Sequence, residues 1–392
     1  MMEPSDLRVA LFSGNYNYVR DGANQALNLL VGYLLEHGVK VRVYSPTTRK
    51  PAFEPTGDLV KVRATRLPFG RGEYKLAWGL RRRVRQDLEA FAPNLVHVAA
   101  PELLGHAAIR FARRRGIASV ASLHTRFETY PRYYGLGFIE QVMERLLTRF
   151  YNRFDRVLVP SQSMATLLRD WGVRTPIRIW SRGIDHDRFR PDRRDLAWRR
   201  SLGIADGSIA IGFLGRLVKE KGLDVFVDIA DELRRRGVPH RVLIVGDGPA
   251  RAWFAGRVPG AVFAGFQSGE ALARAVASMD VFVNPSVTET FGNVTTEAMA
   301  AGVPVVAARA TGAVDLVADG ETGFLVPPRD IGAYADAIQR IVEDPALRCA
   351  MGEAAHASAA RYRWDTANQA ALDAYLTLMA ERDGGPKASS TP

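Results

Sequence analysis

Short apolar runs alternate with longer amphipathic stretches through the first half of the chain. The amphipathic stretches are about 10 to 20 residues long with apolar residues at helical spacing, the first of them from about Gly22 to His37. The apolar runs, which predict β-strands, lie at 7–12, 39–44, 95–98, 119–123 and 156–160. This alternation is typical of a parallel sheet with helices on both faces.

A second series of the same kind begins at Ile209. Between the two series, residues 186–200 are charged and contain a proline, which favours a hinge. The strands predicted in the second series lie at 209–214, 242–245, 262–266, 280–285 and 303–306. We therefore predict an α/β protein with a first domain over 1–190, a second over 200–361, a helix over 362–381 and a disordered polar tail over 382–392.

The strand that ends at Pro285 leads into a turn and a helix that together carry two carboxylates. The helical pattern runs from Val294 to Ala301, so Glu289 stands in the turn and Glu297 about one turn into the helix. Ligands bind at the carboxyl ends of strands in open α/β sheets, where helix amino termini attract phosphate. Both glutamates are candidates for binding sugar hydroxyls. Alternatively, Glu289 is only solvated and Glu297 only favours the start of a helix.

The composition is ordinary for a globular protein, with 392 residues, 47% hydrophobic and 24% charged. Cys349 is the one cysteine, so no internal disulfide can form and a reducing cytosol is expected. The amino terminus lacks the features of a signal peptide, and no apolar run reaches the roughly 18 residues that span a bilayer. We expect a cytoplasmic protein that meets a membrane only as a peripheral protein on its inner face.

Positive charge is concentrated in the first half of the chain. Residues 1–200 hold 35 Lys and Arg against 19 Asp and Glu, a net charge of +16, whereas residues 201–392 hold 18 against 23. The arginine runs lack a nucleic-acid recognition motif, so no nucleic-acid partner is expected. Anionic phospholipid is the better candidate partner of the first half.

One arginine run lies on a helix predicted from Tyr74 to Phe91. Apolar residues occupy one face of this helix, and Arg81, Arg82, Arg83 and Arg85 surround them. This pattern predicts a helix that docks on an anionic membrane. Alternatively, the apolar face belongs to the protein core and the arginines only solvate the helix.

Four motifs follow one another in the second series. The first is Gly215-Arg216, which follows the strand at 209–214. The next three are Lys219 to Leu223, Val242 to Pro249 and Val262 to Phe266. In this order and spacing the chain resembles the retaining glycosyltransferases of family 4 over nearly its whole length. The resemblance implies the GT-B fold, in which two Rossmann-like domains face each other across a cleft and the last helix returns to the first domain.

The resemblance also implies roles for individual residues. Arg216 and Lys221 match the basic pair that grips the donor diphosphate and stabilises the leaving group. Glu297 matches a carboxylate on the ribose, Glu289 one on the donor sugar, and His124 a histidine beside the transferred sugar. The catalytic candidates are His124, Arg216, Lys221 and Glu289. Further donor contacts are implied at Gly22, at Gly265 and Phe266 beside the base, and at Phe291, Gly292, Asn293 and Val294.

Neither a metal nor a cofactor is expected. Asp185 and Asp187 superficially offer the aspartate pair of metal-dependent transferases, but their surroundings match the interdomain segment of the family. Gly246-Asp247-Gly248 lacks the third glycine of a dinucleotide fingerprint, which argues against a dehydrogenase. One departure from the family concerns Asp21-Gly22-Ala23, which replaces the tandem glycine of many relatives. The nucleotide sugar is counted as a substrate of the expected reaction and not as a cofactor.

The expected activity is retaining, metal-independent transfer of a hexose. The segment from Ser122 to Gly135 resembles bacterial GDP-mannose-dependent α-mannosyltransferases and diacylglycerol glycosyltransferases, which favours GDP-mannose as the donor and a lipid or lipid-linked acceptor at the cytoplasmic membrane face. UDP-glucose or UDP-glucuronate is the alternative donor, and a soluble saccharide the alternative acceptor. More distant alternatives are a nucleotide-sugar 2-epimerase and a non-catalytic, membrane-associated binding protein.

Overall fold

The computed structural model describes residues 2–19, 21–66 and 75–384. Up to residue 181 the strands are β1 (Arg8–Phe12), β2 (Lys40–Ser45), β3 (Asp58–Lys61), β4 (Ala64–Arg66), β5 (Lys75–Ala77), β6 (Leu95–Val98), β7 (Ala118–Ser122), β8 (Arg156–Val159) and β9 (Ile177–Ile179). The helices of this part are α1 (Gly22–Glu36), α2 (Arg82–Phe91), α3 (Leu103–Arg114), α4 (Glu140–Tyr151) and α5 (Gln162–Asp170).

The remaining chain continues the alternation of strands and helices. Its strands are β10 (Ala210–Leu214), β11 (Arg241–Val245), β12 (Val262–Gly265), β13 (Val281–Asn284), β14 (Val305–Ala308) and β15 (Gly323–Val326). Its helices are α6 (Leu196–Ser201), α7 (Leu223–Arg235), α8 (Arg251–Ala255), α9 (Gly269–Ala277), α10 (Asn293–Ala300), α11 (Ala313–Leu316), α12 (Ile331–Glu343), α13 (Pro345–Ala359) and α14 (Trp364–Gly384).

The described residues divide into two compact units. The residues up to Thr125, with Gln141–Ser181 and α14, form the first unit, and Arg126–Glu140 with Arg182–Arg363 forms the second. The chain therefore enters the second unit earlier than the boundary expected near residue 190. The reason is local, because the amide of Ile184 already donates to the Tyr362 carbonyl at 3.0 Å within the second unit.

Within the described residues, each unit is built around a parallel sheet. The first sheet has the order β3-β2-β1-β6-β7-β8-β9 and the second the order β12-β11-β10-β13-β14-β15, while β4 and β5 form a separate antiparallel pair. In both sheets the chain returns to the middle, with β6 beside β1 and β13 beside β10. The strand order reverses at these neighbouring pairs, and the carboxyl ends of such strands are the usual ligand-binding position of open parallel sheets.

Both faces of the first sheet are covered because successive side chains of a strand point to opposite faces. Val9 and Leu11 of β1 pack in one apolar cluster with residues of α1 and α14, whereas Ala10 and Phe12 pack in another with residues of α3. All four side chains are buried. The run at 7–12 is therefore apolar throughout, as a strand covered on both faces must be.

Helix α14 is anchored on the first sheet by a buried arginine. Arg156 of β8 donates to the Ala374 carbonyl at 2.9 Å and to the carboxylate of Glu381 at 2.7 Å. Arg382 adds a bond of 3.1 Å to Asp155. These contacts extend the helix to Gly384, so the disorder predicted from residue 382 is wrong for 382–384, and residues 385–392 lie outside the described part.

The helix predicted from Tyr74 begins only at Arg82. Part of the predicted helix forms strand β5, because it pairs with β4, and Tyr74 itself lies outside the described residues. Val84 and Leu88 of α2 are buried in the core of the first unit. The apolar face of this helix is therefore a core face, as the alternative interpretation had it.

A buried ion pair fixes the start of β13 beside β10 in the second unit. The Asp280 carboxylate accepts hydrogen bonds from Arg199 at 2.8 Å, from Arg194 at 2.6 Å and from the Ala210 amide at 2.7 Å. The side chain of Arg199 is 0% exposed and that of Asp280 is 10% exposed. A buried guanidinium without its carboxylate is strongly unfavourable, so the two groups depend on each other.

We predict that Asp280→Asn lowers the free energy of unfolding by about 3 kcal/mol, because it leaves the buried charge of Arg199 uncompensated. Asp206→Asn is the matched control, since Asp206 pairs with Arg200 at the surface, and it should cost at most about 0.5 kcal/mol. Urea unfolding of both variants measures the difference. Equal losses would show that the buried pair carries no special weight.

Candidate active site

Three glycines bring the loops after β10, β11 and β12 together at the carboxyl edge of the second sheet. Gly215, Gly246 and Gly265 have φ of 149°, 139° and 71°, which glycine adopts without strain. The Gly246 amide donates to the Gly265 carbonyl at 2.8 Å. A Cβ on Gly246 would lie 1.9 Å from the Gly215 carbonyl oxygen. Only glycine therefore permits this close approach of the loops.

Lys221 and Glu289 form an ion pair at the same edge. The Lys221 Nζ lies 2.6 Å from Glu289 Oε1, and their side chains are 30% and 14% exposed. Gly222, with φ 70°, holds the lysine turn against the loop of Glu289, since a Cβ there would lie 2.9 Å from the Pro285 carbonyl oxygen. The sequence placed the two charges on different parts of a donor and did not predict that they pair. Arg216 is exposed just after β10.

Helix α10 begins beside this pair. Gly292 caps it with φ 111°, and Asn293 and Val294 supply its first amides, which favour an anion. Phe291 is buried edge-on against the ring of Tyr362, with ring centroids 5.5 Å apart. Its side chain therefore belongs to the core, and only its backbone is available to contact a ligand.

Glu297 lies one turn into α10 in a half-buried position. Burial raises its pKa to about 8, an effect that the nearby positive charge of Arg188 only partly offsets. The carboxyl group is therefore largely protonated at neutral pH. Sequence reasoning named Glu297 but gave no sign of this protonation.

A chain of polar contacts that the sequence did not predict leads away from Glu289. The Glu289 carbonyl accepts a bond of 2.9 Å from the Thr311 hydroxyl, which in turn accepts one of 3.3 Å from Arg126. Arg126 also pairs with the buried Glu128 at 2.6 Å. The one sequence feature that could have indicated a site role for Arg126 is its position two residues after His124, in the segment that follows β7.

The predicted base-binding residues lie at the end of β12. Gly265 takes part in the glycine contact described above, and the Phe266 side chain is 65% exposed. An exposed aromatic ring at a strand end is available for stacking on a planar ligand.

His124 and Gly22 belong to the first unit. His124 is half-buried two residues beyond β7, with Nε2 2.8 Å from the Ser122 hydroxyl. Gly22 is the first residue of α1, and Asp21 caps this helix by accepting the Asn24 amide at 2.8 Å. Asp21, which belongs to the segment that replaces the tandem glycine of many relatives, therefore caps α1.

A carboxyl group with a buried oxygen, which the sequence analysis missed, lies in the loop after β6, at the residue before α3. Glu102 has an oxygen without a hydrogen-bond partner among the described residues, and burial raises its pKa to about 7. A Cβ on Gly14 would lie 2.0 Å from this carboxylate, so a larger residue at that position of the loop after β1 would displace the Glu102 side chain. Because β1 and β6 are neighbours, the two loops meet at the carboxyl edge of the first sheet.

Of the two aspartates considered for a metal, Asp187 is exposed and Asp185 is engaged in an ion pair. Asp185 pairs with Arg188 at 3.2 Å and also accepts its backbone amide at 3.1 Å. Across the described ranges, no group of three or more His, Cys, Asp or Glu side chains is placed to hold a metal ion.

The described residues form two units with Rossmann-like parallel sheets, and the carboxyl edge of the second sheet carries a lysine, an arginine and two glutamates. This arrangement is typical of α/β proteins that bind nucleotides. Comparison with known proteins agrees with this class. Residues 20–188 match the model of glycosyltransferase family 4, and residues 208–344 match that of the glycosyl transferases group 1. The chain therefore belongs to glycosyltransferase family 4.

Individual relatives support this assignment. A GDP-mannose-dependent α-mannosyltransferase of Mycolicibacterium smegmatis is 34% identical over 385 residues, which cover 96% of this chain and 99% of that protein. The structure of sucrose-phosphate synthase from Thermosynechococcus elongatus superposes with a TM-score of 0.77 at 22% identity, covering 95% of this chain and 99% of that one. HepE of Anabaena, solved with UDP and glucose, gives a TM-score of 0.73 at 20% identity, covering 95% and 100%. The protein is a glycosyltransferase with the GT-B fold.

In the part of the chain that is described, no helix is both long enough and apolar enough to cross a bilayer.

We predict that Glu297 makes stability fall as pH rises. Between about pH 5 and pH 7.5 the folded carboxyl stays protonated while the unfolded one ionises, so wild type loses up to about 1.4 kcal/mol per pH unit relative to Glu297→Gln. Urea unfolding across this range measures the difference. Replacing the exposed Glu321 by Gln is the control and should give a difference that does not change with pH. A constant difference for Glu297→Gln as well would contradict the raised pKa.

Proposed function

We propose that this protein transfers mannose from GDP-mannose, with retention of configuration and without a metal, to a lipid or lipid-linked acceptor at the cytoplasmic face of the membrane. The observation that carries the proposal is the arrangement of Arg216, Lys221 and Glu289 at the carboxyl edge of the second sheet. The similarity to the mycobacterial mannosyltransferase supports the choice of donor.

The two cations stabilise the leaving group. As the bond between the sugar carbon and the phosphate oxygen breaks, negative charge grows on the diphosphate, and fixed cations take the place of a metal. The acceptor oxygen forms the new bond on the face that the phosphate leaves, and its proton passes to the departing phosphate oxygen. No enzymatic nucleophile is needed, and this same-face course accounts for retention.

The ion pair of Lys221 with Glu289 prepares the site for the donor. The ammonium is held at 2.6 Å from the carboxylate, so it is already oriented before a diphosphate arrives. Once the lysine turns to phosphate, Glu289 becomes free to accept hydroxyls of the sugar ring. Glu297 binds the ribose, and the exposed Phe266 lies against the base.

The first unit supplies the acceptor side of the reaction. The buried Glu102 oxygen, which has no hydrogen-bond partner in the described part of the chain, suits a hydroxyl of the acceptor, because such a bond would satisfy it. His124 lies beside the transferred sugar and Gly22 beside the diphosphate, as the family resemblance implies.

The basic surface of α2 recruits the protein to anionic lipid. The side chains of Arg81, Arg82, Arg83 and Arg85 are exposed at the helix amino terminus, where positive charge is locally unfavourable. None of these four forms an ion pair with another described residue, whereas the arginines of α7 pair with neighbouring carboxylates. Because the apolar face of α2 is buried, the attraction is electrostatic only.

We predict that Arg216→Ala and Lys221→Ala each lower kcat for mannose transfer by about two orders of magnitude, because each removes a charge that stabilises the leaving diphosphate. The matched control is Lys219→Ala, an exposed lysine of the same turn, which should keep wild-type turnover. Transfer from GDP-mannose and from UDP-glucose to membrane lipid extract or to soluble saccharides, with and without EDTA, is measured by mass and by anomeric configuration.

Several outcomes of this assay would overturn parts of the proposal. Wild-type turnover in both alanine variants would remove the two cations from the site. Faster transfer from UDP-glucose would replace the donor, and transfer to soluble saccharides alone would replace the acceptor. Loss of activity with EDTA that manganese restores would contradict metal independence, and an inverted product would contradict retention.

We predict that Arg82→Ser with Arg83→Ser weakens binding to phosphatidylglycerol vesicles about 30-fold at low salt, since each basic residue contributes about 1 kcal/mol near an anionic surface. The matched control removes two paired charges from α7, by Arg234→Ser with Arg235→Ser, and should bind like wild type. Sedimentation with vesicles measures binding. If wild type does not bind phosphatidylglycerol vesicles, membrane docking is wrong.

A further inference from the structure

A row of buried polar side chains runs from the last helix to His124 inside the first unit. The Tyr375 hydroxyl of α14 lies 2.6 Å from Nδ1 of His97, and Nε2 of His97 lies 2.7 Å from the Ser122 hydroxyl. The same hydroxyl lies 2.8 Å from Nε2 of His124. Tyr375 and His97 are 0% exposed and Ser122 is 2% exposed, so water does not compete for these bonds.

The serine forces the two histidines to differ. A hydroxyl has one proton, so Ser122 can donate to only one of the two ring nitrogens beside it. The other nitrogen must carry a proton and donate to the serine oxygen. Either His97 or His124 therefore donates at Nε2, and the other accepts.

Tyr375 decides which histidine donates. Burial raises the pKa of its hydroxyl, which stays protonated, and its hydrogen-bond partner among the described residues is Nδ1 of His97. A buried hydroxyl proton without an acceptor is costly, so Tyr375 donates and Nδ1 accepts. Burial also lowers the pKa of His97 to about 3, so this ring is neutral and its single proton sits on Nε2. Turning the ring over would place carbon atoms at both contacts and lose both bonds.

We infer that Tyr375 is a positioning residue that fixes the tautomer of His124 through His97 and Ser122. The direction of donation runs from the tyrosine to His97, from His97 to the serine, and from the serine to Nε2 of His124. Neutral His124 therefore carries its proton on Nδ1. In the proposed reaction, on which this inference rests for its functional meaning, the ring acts as a hydrogen-bond donor through Nδ1.

The geometry around the relay holds the rings in place. The Trp180 ring meets His97 and His124 edge-on, with centroids 6.1 and 5.4 Å away. Ser122 is the last residue of β7 and His124 lies two residues beyond the strand, where its Nε2 is 2.8 Å from the serine hydroxyl. The tyrosine comes from α14, more than 200 positions away in sequence, so the state of His124 depends on the docking of the last helix.

The test is a long-range proton–nitrogen correlation spectrum of the full chain labelled with 15N-histidine, recorded at about pH 8 so that histidine is neutral. The seven histidines are assigned with His97→Gln and His124→Asn. We expect a proton on Nε2 of His97 and on Nδ1 of His124. A proton on Nε2 of His124 in wild type would overturn the inference.

Tyr375→Phe removes the donor while keeping the ring. We expect His97 to populate both tautomers, so that His124 no longer holds its proton on Nδ1 alone, and kcat to fall about tenfold with little change in KM. The control is Tyr16→Phe, which removes another buried hydroxyl of the same unit, bonded to the Thr56 carbonyl at 2.7 Å, and should leave both tautomers and kcat unchanged.

The two readouts separate this inference from the proposed function. If His124 stays wholly protonated on Nδ1 in Tyr375→Phe, the tyrosine does not set the tautomer and the inference is wrong, whatever the activity. The tautomers are observed without any substrate. A protein with the expected tautomers but no mannose transfer would therefore contradict the proposed function alone.

Discussion

The second unit depends on the buried pair of Arg199 and Asp280. This pair holds the start of β13 beside β10, although about 70 residues separate the two strands in sequence. Once these strands are neighbours, the loops at their far ends are neighbours as well. The ion pair of Lys221 with Glu289 joins those loops, so an interaction at one edge of the sheet positions the chemistry at the other.

The charges of the site are balanced in different ways. Lys221 and Glu289 neutralise each other, whereas burial keeps Glu297 largely protonated. The cations can therefore contact a diphosphate without two ionised, unpaired carboxylates beside it. Electrostatic preorganisation of this kind reduces the reorganisation needed when charge develops on the leaving group.

The sequence determined the architecture of both units. Short apolar runs separated by helical patterns were sufficient to predict two parallel sheets, because strands covered on both faces must be apolar throughout. The order of Gly215-Arg216, Lys221, Glu289 and Glu297 was sufficient to predict a family 4 glycosyltransferase, which the comparisons confirm. The sequence analysis misplaced the end of α14, because the contacts of the buried Arg156 outweigh the polar local composition. It also misplaced the start of α2, because the preceding residues pair as a strand.

Only the tertiary structure decided how the charged groups are paired and protonated. The pair of Lys221 with Glu289, the contact of Arg126 with Thr311 and the relay from Tyr375 to His124 join residues that are distant in sequence. Periodicity and motif spacing report which side chains are apolar and which strand ends carry polar groups. They cannot report burial or the direction of a hydrogen bond, since both depend on which neighbours the folded chain brings within about 3 Å.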